Sequence, residues 1–162
     1  MIVVADASPI LYLILIRSVD ILKPLYDHVV IPQTVATELL HASAPGTVRA
    51  WVEQPPQWCE VRPDVPPDPS LSNLDPGERA AIGLALSLGA DQLLIDEWEG
   101  RVEAERRHLR VTGTLGVLVQ AHRRQLLDFE TSLADLRQTS FYMSEELINR
   151  IRQSLSTGRG PI

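Results

Sequence analysis

Short apolar segments alternate along this chain with stretches whose apolar residues repeat at helical spacing. Ile2–Ala5, Val29–Ile31 and Gln92–Ile95 are apolar throughout or nearly so, as is typical of strands buried on both faces of a sheet. The stretches between them place apolar residues three and four positions apart, as amphipathic helices do. The alternation predicts an α/β fold with a mostly parallel central sheet flanked by helices.

Proline, glycine and small polar residues mark the expected helix boundaries. Ser8 is expected to cap the first helix, with Pro9 at its first position. Pro32 is expected to begin the helix after the second strand. Asp75 is expected to cap a helix that Gly89 ends. The remaining helices are predicted at Val19–Tyr26, Thr47–Glu53, Glu97–Leu109, Thr114–Arg124, Phe129–Gln138 and Ser144–Leu155, and further strands at Trp58–Val61, on a sheet edge, and Arg110–Thr112.

Length and composition restrict the class of protein. The 162 residues, 44% of them hydrophobic, suit one domain with its own core, expected over residues 1–155 with a frayed tail at 156–162. No apolar run reaches the ~18 residues of a membrane-spanning helix. The first apolar run lacks the preceding positive charge of a secretory signal. Cys59 is the only cysteine, which excludes an internal disulfide, so a cytoplasmic protein without membrane association is expected.

The charge balance is acidic. A formal net charge of −6 argues against a protein that coats nucleic acid by charge alone, although divalent cations on an acidic cluster would weaken that objection. Nearly all the positive charge is arginine, with Lys23 the single lysine. Arginine suits bidentate phosphate contacts, but a GC-rich genome explains the same bias.

Four carboxylates stand at positions where a site can form. Asp6 and Asp96 directly follow buried strands, and ligands of open parallel sheets collect at the carboxyl ends of the strands. Glu38 and Glu78 lie in amphipathic helical patterns, beside residues that face the core. If the four converge, their repulsion favours either protonation or a hard cation such as Mg²⁺ or Mn²⁺. A carboxylate cluster that holds such an ion is suited to cleaving phosphodiesters.

Each carboxylate also has a purely structural interpretation. The segment that Asp6 begins is equally an Asx or Ser turn before a helix. Glu38 suits a solvated helix position. Glu78 stands three residues after Asp75, as in a capping box. Two strands that both end in Asp nevertheless favour a common site over two unrelated caps.

Weaker candidates flank Asp96 in the sequence. Thr112-Gly113-Thr114-Leu115-Gly116 joins a strand to a helix, where backbone N–H groups hold a phosphate or simply form a turn. Arg101 contacts phosphate or pairs with Glu97 or Glu105, four residues away on either side. The four histidines form no ligand-spaced pair, and phosphate-loop, dinucleotide-binding and nucleophile-elbow motifs are lacking.

Together these segments resemble the PIN domain, the Mg²⁺/Mn²⁺-dependent ribonuclease fold of many prokaryotic toxins, and more narrowly a little-characterised PIN-like subgroup. The matching segments run in order from about Ile2 to Arg124, and the tail to Leu155 is similar too. The segments are Asp6-Ala7-Ser8-Pro9, Ile31-Pro32 with Glu38-Leu39, Leu74-Asp75-Pro76-Gly77-Glu78 with Ala81-Ile82, Ile95-Asp96-Glu97 with Gly100-Arg101, and Thr112-Gly113-Thr114-Leu115-Gly116.

The resemblance implies a three-layer α/β PIN-like domain with Mg²⁺ or Mn²⁺ as cofactor. It implies an RNA substrate, a small antitoxin partner, and a homodimer or higher homo-oligomer. Glu78 departs from the better-known toxins, which usually have Asp at this place. The implied catalytic residues and metal ligands are Asp6, Glu38, Glu78 and Asp96, with Ser8, Thr112, Thr114 and Arg101 in support.

Two other functions remain open. One is a non-catalytic PIN-like partner protein, bound by a small antitoxin or by a second copy. The other is a nuclease that acts on structured DNA. The first helix bears on the former, because Leu11 and Leu13–Ile16 are apolar nearly all round. That surplus predicts an interface, although a core helix covered on both sides explains it equally.

Overall fold

A parallel sheet organises the computed structural model, which describes residues 1–158. These residues form five strands in the order β3-β2-β1-β4-β5, and every neighbouring pair is parallel. The prediction of an α/β fold with a parallel sheet is confirmed. The strands are β1 Val3–Ala5, β2 Val29–Pro32, β3 Cys59–Arg62, β4 Gln92–Leu94 and β5 Val111–Thr112.

Helices cover both faces of the sheet, which makes three layers. Alternate residues of β1 separate the two cores: Val3 and Ala5 face one, and Val4 faces the other. The helices are α1 Ala7–Leu15, α2 Leu22–Tyr26 after a 3₁₀ turn at Val19–Ile21, α3 Gln33–Leu39, α4 Gly46–Glu53, α5 Pro76–Leu88, α6 Trp98–Arg106, α7 Thr114–Arg123, α8 Phe129–Arg137 and α9 Glu145–Thr157. Another 3₁₀ turn spans Pro69–Leu71. Helices α5 and α6 cover the second face, and most of the others cover the first.

The predicted boundaries hold at α5, differ by one residue at several other elements, and shift by two or more residues at three places. Helix α1 begins at Ala7 with Asp6 as its N-cap, so the prediction that Ser8 caps it is wrong. The charged helix ends at Arg106, because the chain turns at His108, whose φ is 62°. Helix α9 continues to Thr157, so residues 156–157 of the predicted frayed tail are helical. Residues 159–162 of that tail lie outside the described residues.

Helix α1 is enclosed by its own chain. Leu13, Ile14 and Ile16 are buried, while Leu11 and Leu15 are half-buried and pack on the same core. The helix contacts α3, α4 and α7. Its apolar surplus is therefore explained by burial within one chain, and self-association stays a prediction without support from this helix. Within residues 1–158, no helix has the length and hydropathy that crossing a bilayer requires.

Candidate active site

Asp6 and Asp96 flank the point where the direction of winding reverses. The chain winds outward from β1 through β2 to β3, and then returns to add β4 and β5 on the other side of β1. Asp6 follows β1, and its backbone N–H donates to the carbonyl oxygen of Leu94 at the end of β4 at 2.9 Å. The crevice beyond the strand ends at such a switch point is the usual ligand site of an open α/β sheet.

Asp6 is a buried carboxylate, with a side chain 5% exposed. It forms no side-chain cap to α1 among the described residues. The pKa of Asp6 is raised from 3.8 to about 8, mainly by burial and also by the charges of Asp75, Glu38 and Glu78, while the backbone N–H of Ala7 partly offsets the rise. Three other carboxylates therefore lie close enough to Asp6 to favour its protonated form.

Glu38 reaches from α3 to the first turn of α5. A Cβ added at Gly77 would lie 2.6 Å from Glu38 Oε1, so this close approach depends on glycine. Burial and the charge of Asp75 raise the pKa of Glu38, while the backbone N–H of Gly77 lowers it. A carboxylate at a helix N-terminus is stabilised by the helix dipole, so this contact has structural value as well.

Glu78 combines a capping role with a place in the cluster. Its backbone N–H donates to Asp75 Oδ1 at 2.8 Å, and its Oε2 accepts from the backbone N–H of Asp75 at 3.3 Å, so the predicted capping box is confirmed. The pKa of Glu78 is raised to about 7, mainly by burial and also by the charges of Asp75, Glu97 and Glu99, while the Asp75 backbone N–H partly offsets the rise. Capping therefore does not remove Glu78 from the acidic cluster.

Asp96 is held by the first turns of two helices. Its Oδ2 accepts from the Ser8 and Thr114 hydroxyls, each at 2.7 Å. Its Oδ1 accepts from the backbone N–H of Thr114, also at 2.7 Å. Three donors thus fix both oxygens of a half-buried carboxylate. Ser8 supports Asp96 from α1 instead of capping its own helix.

The other predicted supporting residues separate into two groups. Thr114 lies at the site, whereas the Thr112 hydroxyl accepts from Gln92 Nε2 at 2.5 Å and, within residues 1–158, forms no hydrogen bond with the four carboxylates. Arg101 forms neither expected ion pair within residues 1–158. Its Nη1 instead lies 2.7 Å from where a Cβ on Gly113 would be, and Asp96 Oδ1 lies 2.8 Å from that point.

Asp75 is the functional candidate that sequence reasoning undervalued, because it was expected only to cap α5. Its charge raises the pKa values of Asp6, Glu38 and Glu78. The available signal was its spacing, since a cap three residues before a candidate ligand lies within one helical turn of it. Gly77 and Gly113 belong to the sequence motifs, but each allows the close approach of side chains that are distant in the sequence.

The donor set fits a hard divalent cation, although the ligand shell is not assembled. Within the described part of the chain, no Arg, Lys or His forms an ion pair with Asp6, Glu38, Asp75, Glu78 or Asp96. Oxygen donors without a cationic partner are what Mg²⁺ and Mn²⁺ prefer. Yet among residues 1–158, no three acidic, histidine or cysteine side chains are grouped closely enough to hold an ion. The charges of Glu38, Asp75 and Glu78 all act on the pKa of Asp6, so these four carboxylates lie in one neighbourhood, and Asp96 follows the strand next to that of Asp6.

Comparison with known proteins identifies the fold family. The family model DUF3368, described as a PIN domain, matches residues 2–157. The chain is similar in structure to a PilT N-terminus domain protein, SSO1118, from the hyperthermophilic archaeon Sulfolobus solfataricus P2. That similarity has a TM-score of 0.51 at 17% identity and covers 89% of this chain and 100% of the other. No curated protein matches. Because the family model covers almost the entire chain, the chain belongs to the PIN-domain family.

Proposed function

We propose that this protein is a Mg²⁺- or Mn²⁺-dependent endoribonuclease. The observation that carries the proposal is a group of carboxylates at the switch point of the sheet, two of them buried, with no ion-pair partner within residues 1–158. Uncompensated buried carboxylates are costly, and a bound divalent cation would relieve that cost. Membership of a family with a nuclease-type fold supports the same conclusion.

Asp6 and Asp96 would hold the ion, with Glu38 and Glu78 completing its shell directly or through water. When bound, such an ion lowers the pKa of a water nucleophile and stabilises the leaving oxygen. Ser8 and Thr114 keep the oxygens of Asp96 fixed. With a pKa of about 8, Asp6 is largely protonated at neutral pH, so cation binding has to displace that proton.

The toxin role is the finer part of the proposal. It rests on the resemblance of the acidic motifs to those of toxin ribonucleases, and it includes RNA as substrate, a small antitoxin as partner and a homo-oligomeric state. Induced expression in a bacterial host should arrest growth, and Asp6→Asn should abolish the arrest. Equal growth arrest by both forms would contradict a toxin role for this site.

The non-catalytic alternative has one observation in its favour. In the described part of the chain the carboxylates do not form an assembled three-ligand group. A protein that uses this fold only for binding would have no need to assemble one. Structured DNA as the substrate gains nothing specific from the site, but it belongs in the same assay.

Cleavage assays separate these functions. The purified protein should cut cellular RNA in Mn²⁺ at mappable internal positions and should not cut it in EDTA. Asp6→Asn and Asp96→Asn should lose the activity, whereas Asp135→Asn, an exposed change on α8, should keep it. Intact RNA in Mn²⁺ would favour the binding protein, and preferential cutting of branched or hairpin DNA would favour the DNA nuclease.

A further inference from the structure

A cavity of about 410 Å³ opens at the opposite edge of the sheet from the candidate active site. Met1, Asp91 and Arg110 line it, and they stand just before the starts of β1, β4 and β5. Asp6 and Asp96 follow the other ends of β1 and β4. Because the strands run in parallel, the length of the strands separates the cavity from these carboxylates. The cavity is therefore a separate place from the proposed metal site.

Three arginines line this cavity: Arg110, Arg123 and Arg124. Arg110 Nε donates to the carbonyl oxygen of Asp91 at 3.1 Å, and Arg124 Nη1 donates to that of Leu25 at 3.4 Å. These carbonyl acceptors carry no net charge. They orient the two guanidinium groups without neutralising them, and they use few of the five N–H donors that each guanidinium has.

The pattern of ion pairs distinguishes two of these arginines from others on the surface. Several arginines elsewhere pair with a glutamate, namely Arg62, Arg106, Arg137 and Arg152. In the part of the chain that the structure describes, neither Arg110 nor Arg124 forms an ion pair, although Asp and Glu outnumber Lys and Arg by 21 to 15. Arg123 Nη2 donates to the Ser154 hydroxyl at 2.7 Å. Positive charge is therefore concentrated at this cavity.

Helix capping explains only part of this arrangement. Arg123 is the last residue of α7 and Arg124 is its C-cap, where positive charge is favoured by the negative end of the helix dipole. Arg110 belongs to a different element, so the dipole of α7 does not account for its presence in the same cavity. Surface arginines without an ion pair are common, but guanidinium groups that converge on one concavity repel each other unless an anion lies among them.

The size and the walls of the cavity restrict what it can hold. Its volume falls within the roughly 300–1,000 Å³ that is typical of small-molecule sites. Met1 and Leu25 supply apolar surface, and Tyr26 donates its hydroxyl to Gln120 Oε1 at 2.9 Å. Asp91 is the one carboxylate among the described residues that line the cavity, so arginines outnumber carboxylates there. A compact molecule with an anionic group and an apolar body fits these walls.

We propose that this cavity, called the arginine pocket below, is a binding site for the phosphate group of a small molecule or for inorganic phosphate itself. A planar guanidinium can donate two parallel N–H groups to phosphate oxygens, and such charge-assisted hydrogen bonds are stronger than neutral ones. Arg110 and Arg124 supply this recognition, while Met1 and Leu25 pack against the body of the ligand. The site does not depend on the nuclease function, because it lies at the other edge of the sheet.

Nuclear magnetic resonance locates the ligand and measures its affinity in one titration. Isotope-labelled protein is titrated in EDTA with phenyl phosphate, inorganic phosphate, phenol and benzoate, and EDTA keeps divalent cations from bringing phosphate to the carboxylates. Phenyl phosphate should shift the signals of residues 91–92, residues 120–124 and the Arg110 side chain in a saturable way. The signals of Asp96 and Thr114 should stay in place. Phenol, which lacks the phosphate, should bind more weakly by at least roughly tenfold.

Arginine variants test the contacts. Arg124→Ala and Arg110→Ala should each raise the Kd for phenyl phosphate by roughly tenfold, the lower end for a hydrogen bond to a charged group. Arg124→Lys should fall between Arg124→Ala and wild type, because lysine keeps the charge and loses the paired N–H groups. Arg150→Ala removes an exposed arginine of α9 that does not line the pocket, and it should bind within about twofold of wild type. Thermal melts establish that each variant is folded.

A neighbouring cleft requires a control of its own. This cleft of about 1010 Å³ beside Asp96 shares Arg110 and Arg123 with the arginine pocket, whereas Arg124 lines only the pocket and Arg101 lines only the cleft. Arg101→Ala should therefore leave the Kd for phenyl phosphate within about twofold of wild type. A greater loss of affinity in Arg101→Ala than in Arg124→Ala would place the phosphate in the cleft and overturn the proposal.

The remaining outcomes support the pocket or overturn it. Tighter binding of phenyl phosphate than of inorganic phosphate would assign the pocket to a phosphorylated molecule, and equal binding would assign it to free phosphate. The proposal is overturned if neither gives saturable shifts, if phenol or benzoate binds as tightly as phenyl phosphate, or if both alanine variants keep the wild-type Kd. A single-stranded RNA that shifts these signals where both phosphates fail would overturn it as well. Failure of Mn²⁺-dependent cleavage would count against the nuclease and leave the pocket in place.

Discussion

Glycines determine how closely side chains approach each other at this site. At Gly77 a Cβ would lie 2.6 and 2.7 Å from the two carboxylate oxygens of Glu38, closer than real Cβ contacts allow. The obstructing atoms belong to the end of a flexible side chain, so Glu38 can move away at little cost. Glu38 can therefore keep this conformation only because residue 77 has no Cβ.

Gly77→Ala should separate site geometry from stability. Displacement of Glu38 is cheap, and alanine in a helix is favoured over glycine by up to about 1 kcal/mol, so the free energy of unfolding without metal should change little. The rise in melting temperature caused by Mn²⁺ should shrink, and RNA cleavage should slow. Gly46→Ala, which meets nothing within 4 Å at the start of α4, is the control and should leave both properties intact. An unchanged Mn²⁺ response in Gly77→Ala would exclude Glu38 from the ligand shell.

The two buried threonines around Gly113 make another matched pair. Thr114→Val removes one of the three donors to the Asp96 carboxylate, at an expected cost of about 1–3 kcal/mol for a hydrogen bond to a charged group. Thr112→Val removes the Gln92 hydrogen bond instead. Chemical denaturation and cleavage rates should show that Thr114→Val slows cleavage, that Thr114→Ser restores it, and that Thr112→Val leaves it near wild type. Strong loss of cleavage in Thr112→Val would reinstate the role expected from sequence.

At the scale of elements, the first turn of α5 serves the helix and the site together. Asp75 and Glu78 cap each other's backbone N–H groups. The charge of Asp75 also raises the pKa of Glu38 and that of Glu78. Here the terminus faces the switch point of the sheet, so the cap lies among the carboxylates.

Glu78→Gln distinguishes capping from metal binding. Glutamine can still accept the Asp75 N–H, and it removes a repelling charge, so stability without metal should stay within about 1 kcal/mol of wild type. A hard cation requires the carboxylate charge, so Mn²⁺ affinity and cleavage should fall strongly. Calorimetric titration with Mn²⁺ measures the first and gel assays the second. Wild-type behaviour in both would reduce the proposed ligands to Asp6, Glu38 and Asp96.

At the scale of the whole molecule, the acidic cluster makes stability depend on pH. Folding raises the pKa of Asp6 from 3.8 to about 8 and that of Glu78 from 4.5 to about 7. Between the unfolded and the folded pKa of each group, the folded protein holds a proton that the unfolded chain has released. The stabilising contribution is fully present below about pH 4 and is lost as pH rises through the folded pKa values.

The melting temperature without metal should therefore fall as pH increases from about 5 to 8. Mn²⁺ should oppose the fall most strongly at pH 8, where the carboxylates hold the fewest protons of this range, and a hundredfold excess over Kd adds about 2.7 kcal/mol. Asp6→Asn should flatten the metal-free profile. Scanning calorimetry across this range in EDTA and in Mn²⁺ makes the comparison. A flat profile for the wild type would mean that Asp6 is not desolvated.

Local rules in the sequence determined the elements and the order in which they alternate. Apolar runs marked the strands, and Asp75 and Gly89 marked the ends of α5, because periodicity and capping act within a few residues. The positions of Asp6 and Asp96 at the carboxyl ends of parallel strands followed from the same rules, whereas the pairing of those two strands is seen only in the structure. The fold, and the carboxylates that stand at its switch point, could therefore be predicted without coordinates.

Only the tertiary structure decided which side chains meet. The Ser8 hydroxyl bonds to Asp96, 88 positions away, instead of capping α1, and Thr114 rather than Thr112 reaches that carboxylate. The additional apolar residues of α1 are covered by the chain itself, where α1 contacts α3, α4 and α7. No local pattern encodes such pairings, because they depend on how separate helices are placed on the sheet.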